Sequence, residues 1–297
     1  VSVWIAFTLA AALLQTVRFV LQKRLAATGL SPAGATFARF LFAAPLAALF
    51  AALTAWLAGP LSAAPPPAFW GAVVIGALAQ IVATDLTVRL FALRNFAVGV
   101  AFTKTETVQV AVVAWAVLGE KVAPLGCIAI AVGVAGVLLM SRGPEAGAPL
   151  FGRATMTGLL AGALFGVASV GYRAATLELA PAPFLTRALV ALAAATAIQS
   201  VAMSVWLILR EPGEVRRVLN GWHRTAPVGL AGMLGSLGWF AAFSLQSAAF
   251  VRAVGQVEMV FTLAASVLIF GERLKLREMA GIGLVIVSLI GLVLVAP

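Results

Sequence analysis

The sequence has little of what soluble proteins use to live in water or to do chemistry there. Only 10% of its 297 residues are Asp, Glu, Lys or Arg, against about 25% in an ordinary soluble domain. A soluble chain of this size would lack the polar surface to cover its interior. There is one cysteine, Cys127, so no internal disulfide can form, and its apolar surroundings mark it as a small buried side chain. The single histidine, His223, excludes a His-rich metal site and leaves a Ser–His–Asp triad without context. No phosphate-cradling glycine loop, metal-spaced ligand set or nucleophile elbow occurs, and no cofactor is expected. Ten acidic residues face 20 basic ones, giving a net charge of +10. In a soluble protein that excess would suggest nucleic acid. Here the basic residues are scattered between apolar runs, so membrane topology explains them and no nucleic-acid partner is expected.

What is abundant is apolar: 63% of the residues are hydrophobic and the mean hydropathy is +1.09. Ten apolar spans of about 20 residues would use roughly 200 residues and leave short connections. The spans read as 3–22, 33–57, 69–90, 96–118, 123–140, 154–173, 184–209, 226–249, 254–270 and 279–296. Each is expected to be a helix, which satisfies its own backbone in lipid. A membrane β-barrel would instead alternate apolar and polar residues over about ten positions, whereas runs such as Thr157–Phe165 are rich in Ala, Leu and Gly. The first stretch, Val3 to Val17, has neither a basic lead nor a cleavage-like end, so it reads as a span rather than a signal peptide. Turn signals fall between spans at Ser31-Pro32, Gly59-Pro60, Pro65 to Pro67, Gly143-Pro144 and Pro181 to Pro183. The longest polar stretch, Arg210 to Thr225, is expected to be a solvated loop. Its Val215, Leu219 and Trp222 would form the apolar face of a short interfacial helix if one were present.

A linker near the midpoint, residues 141–153, separates segments that match in order. Glu106 precedes Gly119-Glu120, and Glu258 precedes Gly271-Glu272, each glutamate pair being 14 residues apart. Each Gly-Glu leads into a closing apolar span with glycines ten apart, Gly126 and Gly136 in one half, Gly281 and Gly291 in the other. Arg39 and Arg187 lie early in the second span of each half. Residues 1–140 and 154–297 are therefore read as two five-helix repeats. An odd number of spans per repeat inverts the second in the membrane, an arrangement typical of secondary transporters.

The segments KTETVQVAVVAWAVLGEKV (104–122) and QVEMVFTLAASVLIFGERL (256–274) carry a resemblance to the drug/metabolite transporter superfamily, in its ten-span form built from two EamA-like halves. The family pattern often reads Glu-Pro, an apolar run, then Leu-Gly-Glu. This chain keeps Glu106 and Glu258 but has Thr107 and Met259 in the proline position. The resemblance implies an all-α membrane protein that carries a small organic molecule by alternating access, amino-acid and related metabolite exporters being among its members. The bilayer and a small-molecule substrate are the expected partners, with protons as a candidate coupling ion and a monomer as the expected state.

The connections after spans 1, 3, 5, 7 and 9, with the adjoining span ends, hold most of the Lys and Arg, including Arg18, Arg24, Arg89, Arg142, Arg217 and Arg273. The other side has chiefly Lys121, Arg173 and Arg252. The positive-inside rule then places both termini on the periplasmic side of a bacterial-type inner membrane.

A charge at a helix centre costs about 2.5–3.5 kcal/mol on insertion scales, so intramembrane polar residues are the candidates for function. Lys104, Glu106 and Gln109 form the densest cluster, and Glu258 with Gln256 is its counterpart. Two such carboxylates would hold a substrate ammonium or exchange protons; alternatively each ties to a nearby Lys or Arg and locks helices. Asp85 is the expected structural partner for Lys104. Gln15, Gln80, Gln199 and Gln246 are expected to face the bundle interior, where Trp239 and Phe243 would line an apolar wall. Arg39 and Arg187 would snorkel to headgroups or serve packing and gating. Gly158, Gly162 and Gly166 allow close helix contact, as does the three-residue stripe Gly229, Gly232, Gly235 and Gly238, which would otherwise pass substrate or bend. The rival readings are an intramembrane lipid-modifying enzyme, disfavoured by the lone loop histidine, and a non-transporting scaffold, which gives the repeated glutamates no purpose.

Overall fold

The computed structural model describes residues 2–59, 61–93, 103, 106–141, 153–271, 273 and 275–295. All regular structure among them is helical: α1 (Val3–Ala26), α2 (Pro32–Ala58), α3 (Pro67–Leu93), α4 (Glu106–Leu118), α5 (Pro124–Ser141), α6 (Arg153–Glu178), α7 (Phe184–Arg210), α8 (Glu214–Asn220), α9 (Trp222–Leu245), α10 (Ala248–Val254), α11 (Glu258–Phe270) and α12 (Leu276–Val295). A 3₁₀ turn, Gly255–Val257, joins α10 to α11. Seven helices among the described residues are long and apolar enough to cross a bilayer, with α10, its 3₁₀ turn and α11 acting as one. Three shorter apolar helices, Glu106–Leu118, Pro124–Gly136 and Met279–Ser288, occupy the fourth, fifth and tenth expected spans. The fourth span is described only from residue 103 and Glu106 onward, and the linker around 142–152 lies outside the described residues.

Large apolar side chains point outward, Leu268 at 82% and Trp56 at 79% exposure among them, and Cys127, expected to be buried, is exposed on the same surface. Water would not tolerate that surface; lipid does. The interior is built by small residues that let backbones meet. Along the α9 glycine stripe, a Cβ at Gly238 would lie 2.9 Å from the Phe7 carbonyl oxygen and from Ala11 Cβ, and one at Gly232 would lie 3.3 Å from Arg18 Cδ. Gly232, Gly235 and Gly238 thus seat α1 antiparallel on α9, while Gly229 and Gly232 lie against Phe42 and Arg39 of α2. Gly136 of α5 meets the Gly281 carbonyl of α12 as closely, at 2.6 Å from an added Cβ, so the closing helices of the two halves pack on each other.

The repeat extends to the backbone. Gly119 ends α4 at φ +67° and Gly271 ends α11 at φ +63°. Only glycine enters that left-handed conformation without penalty, and it is the common stop for a helix. The Gly of each Gly-Glu pair is therefore a helix terminator.

Two boundaries differ from expectation. The eighth span ends at Leu245, not 249, because Gln246 is extended (φ −140°, ψ 159°), and the ninth begins at Ala248. The stretch after α7 is not merely solvated. It contains α8, whose buried residues are Glu214 and Val218, while Leu219 and Trp222 are exposed. Apolar and polar contacts both seat it: Val218 joins the core with Val215 packed against it, and Glu214 Oε1 accepts from Ser31 N at 2.6 Å, placing a carboxylate at the N-terminus of α2, where the helix dipole favours it. Arg217 bridges Glu214 at 2.8 Å and donates to the Gly29 carbonyl. This joint ties the α1–α2 connection to the α7–α9 connection at one end of the bundle.

Candidate functional site

At the other end, the turn from α9 to α10 leaves carbonyls of one helix and N–H groups of the next without helical partners. The Arg173 side chain (α6) donates to the Phe243 carbonyl at 2.5 Å, and Arg187 (α7) donates to the Ser244 carbonyl at 3.0 Å. Glu120, just after α4, pairs with Arg173 at 2.8 Å and accepts from Ala248 N at 3.1 Å. Gln246 belongs to this turn, its Oε1 accepting from Ser247 N at 2.8 Å, and not to a span facing the bundle interior as expected. Arg187 caps a neighbouring helix instead of snorkelling.

Between the two ends lies a cavity with walls from both halves. Gln15 (α1) and Gln80 (α3) come from the first; Phe165, Ser169 and Tyr172 (α6), Ser236, Trp239, Phe240 and Phe243 (α9) and Arg252 (α10) come from the second. About 20 Å³ of it is open to the centre of a water molecule, room for water rather than a metabolite. Tyr172 donates to Gln80 Oε1 at 2.9 Å, and Gln199 Nε2 donates to the same oxygen at 2.8 Å. This network joins α3, α6 and α7.

The repeat glutamates flank the cavity without lining it. Glu106, 2% exposed, accepts from Arg252 Nη2 at 2.5 Å. Glu258, fully buried, accepts from Gln15 Nε2 at 3.3 Å and interacts electrostatically with Arg18. Each reaches across to the opposite half, and in each case the partner lines the cavity. Arg252 also lies 4.7 Å above the Trp239 ring, and that ring stacks on Phe243 with centroids 6.3 Å apart. Gly255, in the 3₁₀ turn, is what lets Trp239 fit, since a Cβ there would fall 2.5 Å from its ring. The tightened turn just before Glu258 therefore arises without the family's proline.

Other expected residues are distributed less compactly. Gln256 is buried against Gly133 and Ser288 at the α5–α12 contact. Gln109 is half-buried on α4, and its Oε1 has no partner among the described residues. Gly235 lies against Gln15 and Leu14, and Gly162 is buried within α6. Asp85 pairs with Arg89 at 2.6 Å, one turn along α3; Lys104 lies outside the described residues. Arg39 is 2% exposed, donating to Thr84 Oγ1 at 2.8 Å and Ser236 Oγ at 3.4 Å, so it ties α2, α3 and α9 together and does not snorkel.

Arg18 and Arg252 correct the rim assignment made from charge: both are buried. The signal for Arg252 is in the repeat. Six residues before Glu258 stands Arg252, whereas Val100 stands six before Glu106. An arginine inside one copy of a repeat and absent from the other points to this buried position better than its distance from a span end does.

An all-helical, multi-pass membrane protein with a polar pocket between two halves is the class this arrangement defines. The model of the EamA-like transporter family matches residues 2–142 and 153–294, so the chain belongs to that family, within the drug/metabolite transporter superfamily. Among solved structures 23 chains match. One crystal structure of a protein superposes with a TM-score of 0.64, covering 96% of this chain and 99% of the other at 18% identity, a likeness of fold. No curated protein shows a significant sequence match.

Proposed function

We propose that this transporter is a monomeric secondary carrier with ten spans in two inverted halves. It exports a small amphipathic metabolite of the amino-acid or related kind across a bacterial-type inner membrane, with both termini periplasmic. Alternating access would open the central cavity, now water-sized, to one face at a time, by parting either the Glu214–Ser31 joint or the Glu120–Arg173 joint. The observation that carries this reading is the crossing of the repeat glutamates. Glu106–Arg252 and Glu258–Gln15 both join the two halves beside the cavity, where relative motion must be felt. Either carboxylate can exchange a proton as its cross-half partner moves away.

The chain reconstituted in proteoliposomes, offered a panel of labelled metabolites, should accumulate at least one of them under a pH gradient. Glu106→Gln or Glu258→Gln should flatten the dependence of that uptake on pH. Uptake with an unaltered pH profile in both variants eliminates the carboxylate coupling; no uptake of any solute eliminates the carrier. Reporter fusions at the two ends should be active only outside the cytoplasm.

A further inference from the structure

The chemistry of the cavity narrows the substrate beyond the transporter reading, on which this inference rests for how a ligand reaches the site. Most polar groups in the wall are satisfied within the protein. Gln80 Oε1 accepts from Tyr172 and Gln199, Ser169 donates to the Phe165 carbonyl, and Ser236 accepts from Arg39. Two are not. Among the described residues, Arg252 Nε and Trp239 Nε1 are buried with no hydrogen-bond partner, on residues only 6% and 5% exposed.

Both are donors that can never accept, and leaving a buried donor unmade is costly. They line one cavity and are held together, the guanidinium lying over the indole ring. An ammonium cannot satisfy either group. A carboxylate, with two oxygens and several lone pairs, can satisfy both, and the planar guanidinium is suited to it. Beside this polar corner lie the rings of Tyr172 and Phe240, their centroids 4.3 Å apart, and that of Phe243, an apolar wall against which a ligand's apolar or aromatic body would pack once the cavity opens.

We propose that the cavity selects organic carboxylates with an apolar or aromatic body, holding the carboxylate at Arg252 Nε and Trp239 Nε1. An α-amino group is tolerated but is not what the site reads. Arg252 thus serves two acids, Glu106 through Nη2 and the ligand through Nε. This reverses the expectation that glutamates present negative charge to a substrate ammonium: the cavity itself presents a cation.

Three probes that share one phenylethyl body separate the alternatives: 3-phenylpropionate (anion), phenylalanine (zwitterion) and phenethylamine (cation). Binding to the full chain in lipid nanodiscs is measured by titration calorimetry. The two carboxylates should bind, and phenethylamine should bind at least tenfold more weakly. Removing Arg252 outright would strand Glu106, so the diagnostic variants are milder. Trp239→Phe keeps the ring and loses the N–H; Arg252→Lys keeps the charge beside Glu106 and loses Nε. Each should weaken carboxylate binding at least fivefold while the melting temperature stays near wild type. Equal or tighter binding of phenethylamine, binding of none of the three, or undiminished carboxylate binding in both variants overturns the proposal. If that happens while proteoliposomes still carry some other metabolite, the carrier reading stands alone. Carboxylates bound normally but never moved would leave the site and remove the carrier.

Discussion

Glu106 and Glu258 occupy the same position in two copies of one repeat, yet they live differently. Glu106 meets a guanidinium directly, through Arg252. Glu258 meets an amide, Gln15, with the positive charge of Arg18 acting through space. Duplication set where each carboxylate sits, and the opposite half decided what it faces. Symmetric placement with asymmetric partners lets one position be a tight lock while its twin is held more loosely.

Breaking the two positions should expose that inequality. Glu106→Ala strands the Arg252 guanidinium in the interior and should cost about 3–5 kcal/mol, seen as a large fall in melting temperature in detergent. The neutral double variant Glu106→Gln with Arg252→Gln should recover most of it, as exchanging a whole buried pair costs far less than halving it. Glu258→Gln keeps an amide-to-amide hydrogen bond with Gln15 and should cost less, on the order of 1–2 kcal/mol. The backbone offers a symmetric control: Gly119→Ala and Gly271→Ala should cost about 1 kcal/mol each, and equally, because both force alanine into the left-handed region. Smallest of all, Asp85→Asn breaks a pair whose arginine is 48% exposed and should change stability by about 0.5 kcal/mol or less. Equal losses for Glu106→Ala and Glu258→Gln would contradict the lock-and-loose distinction.

The membrane class, the repeat and the two glutamates were legible in the sequence because each is a matter of composition or spacing. Glycine every three residues along 229–238 pointed to close packing, and the α1–α9 contact is that packing. The pocket was less legible, for two reasons. Counting Lys and Arg near span ends treats all of them as rim residues, which misplaced Arg18 and Arg252. Ending the eighth span at 249 rather than Leu245 pushed Arg252 toward the surface by about a turn of helix. Hydrophobicity cannot locate such an end, since Ala248 to Val251 is as apolar as the helix before it. The extended Gln246 sets it, and that conformation is held by Arg173, Arg187 and Glu120 from three other elements.

That turn has a consequence for how the protein is made. Glu120 belongs to the half synthesised first, and Ala248, whose N–H it receives, leaves the ribosome 128 residues later. The carboxylate that closes the α9–α10 corner is therefore already synthesised when the corner emerges, so the second half completes its own backbone with a group supplied by the first. Two halves produced as separate chains would have to bring that group to the corner by diffusion in the bilayer, and the corner, like the pocket whose walls come from both halves, would set only once they met.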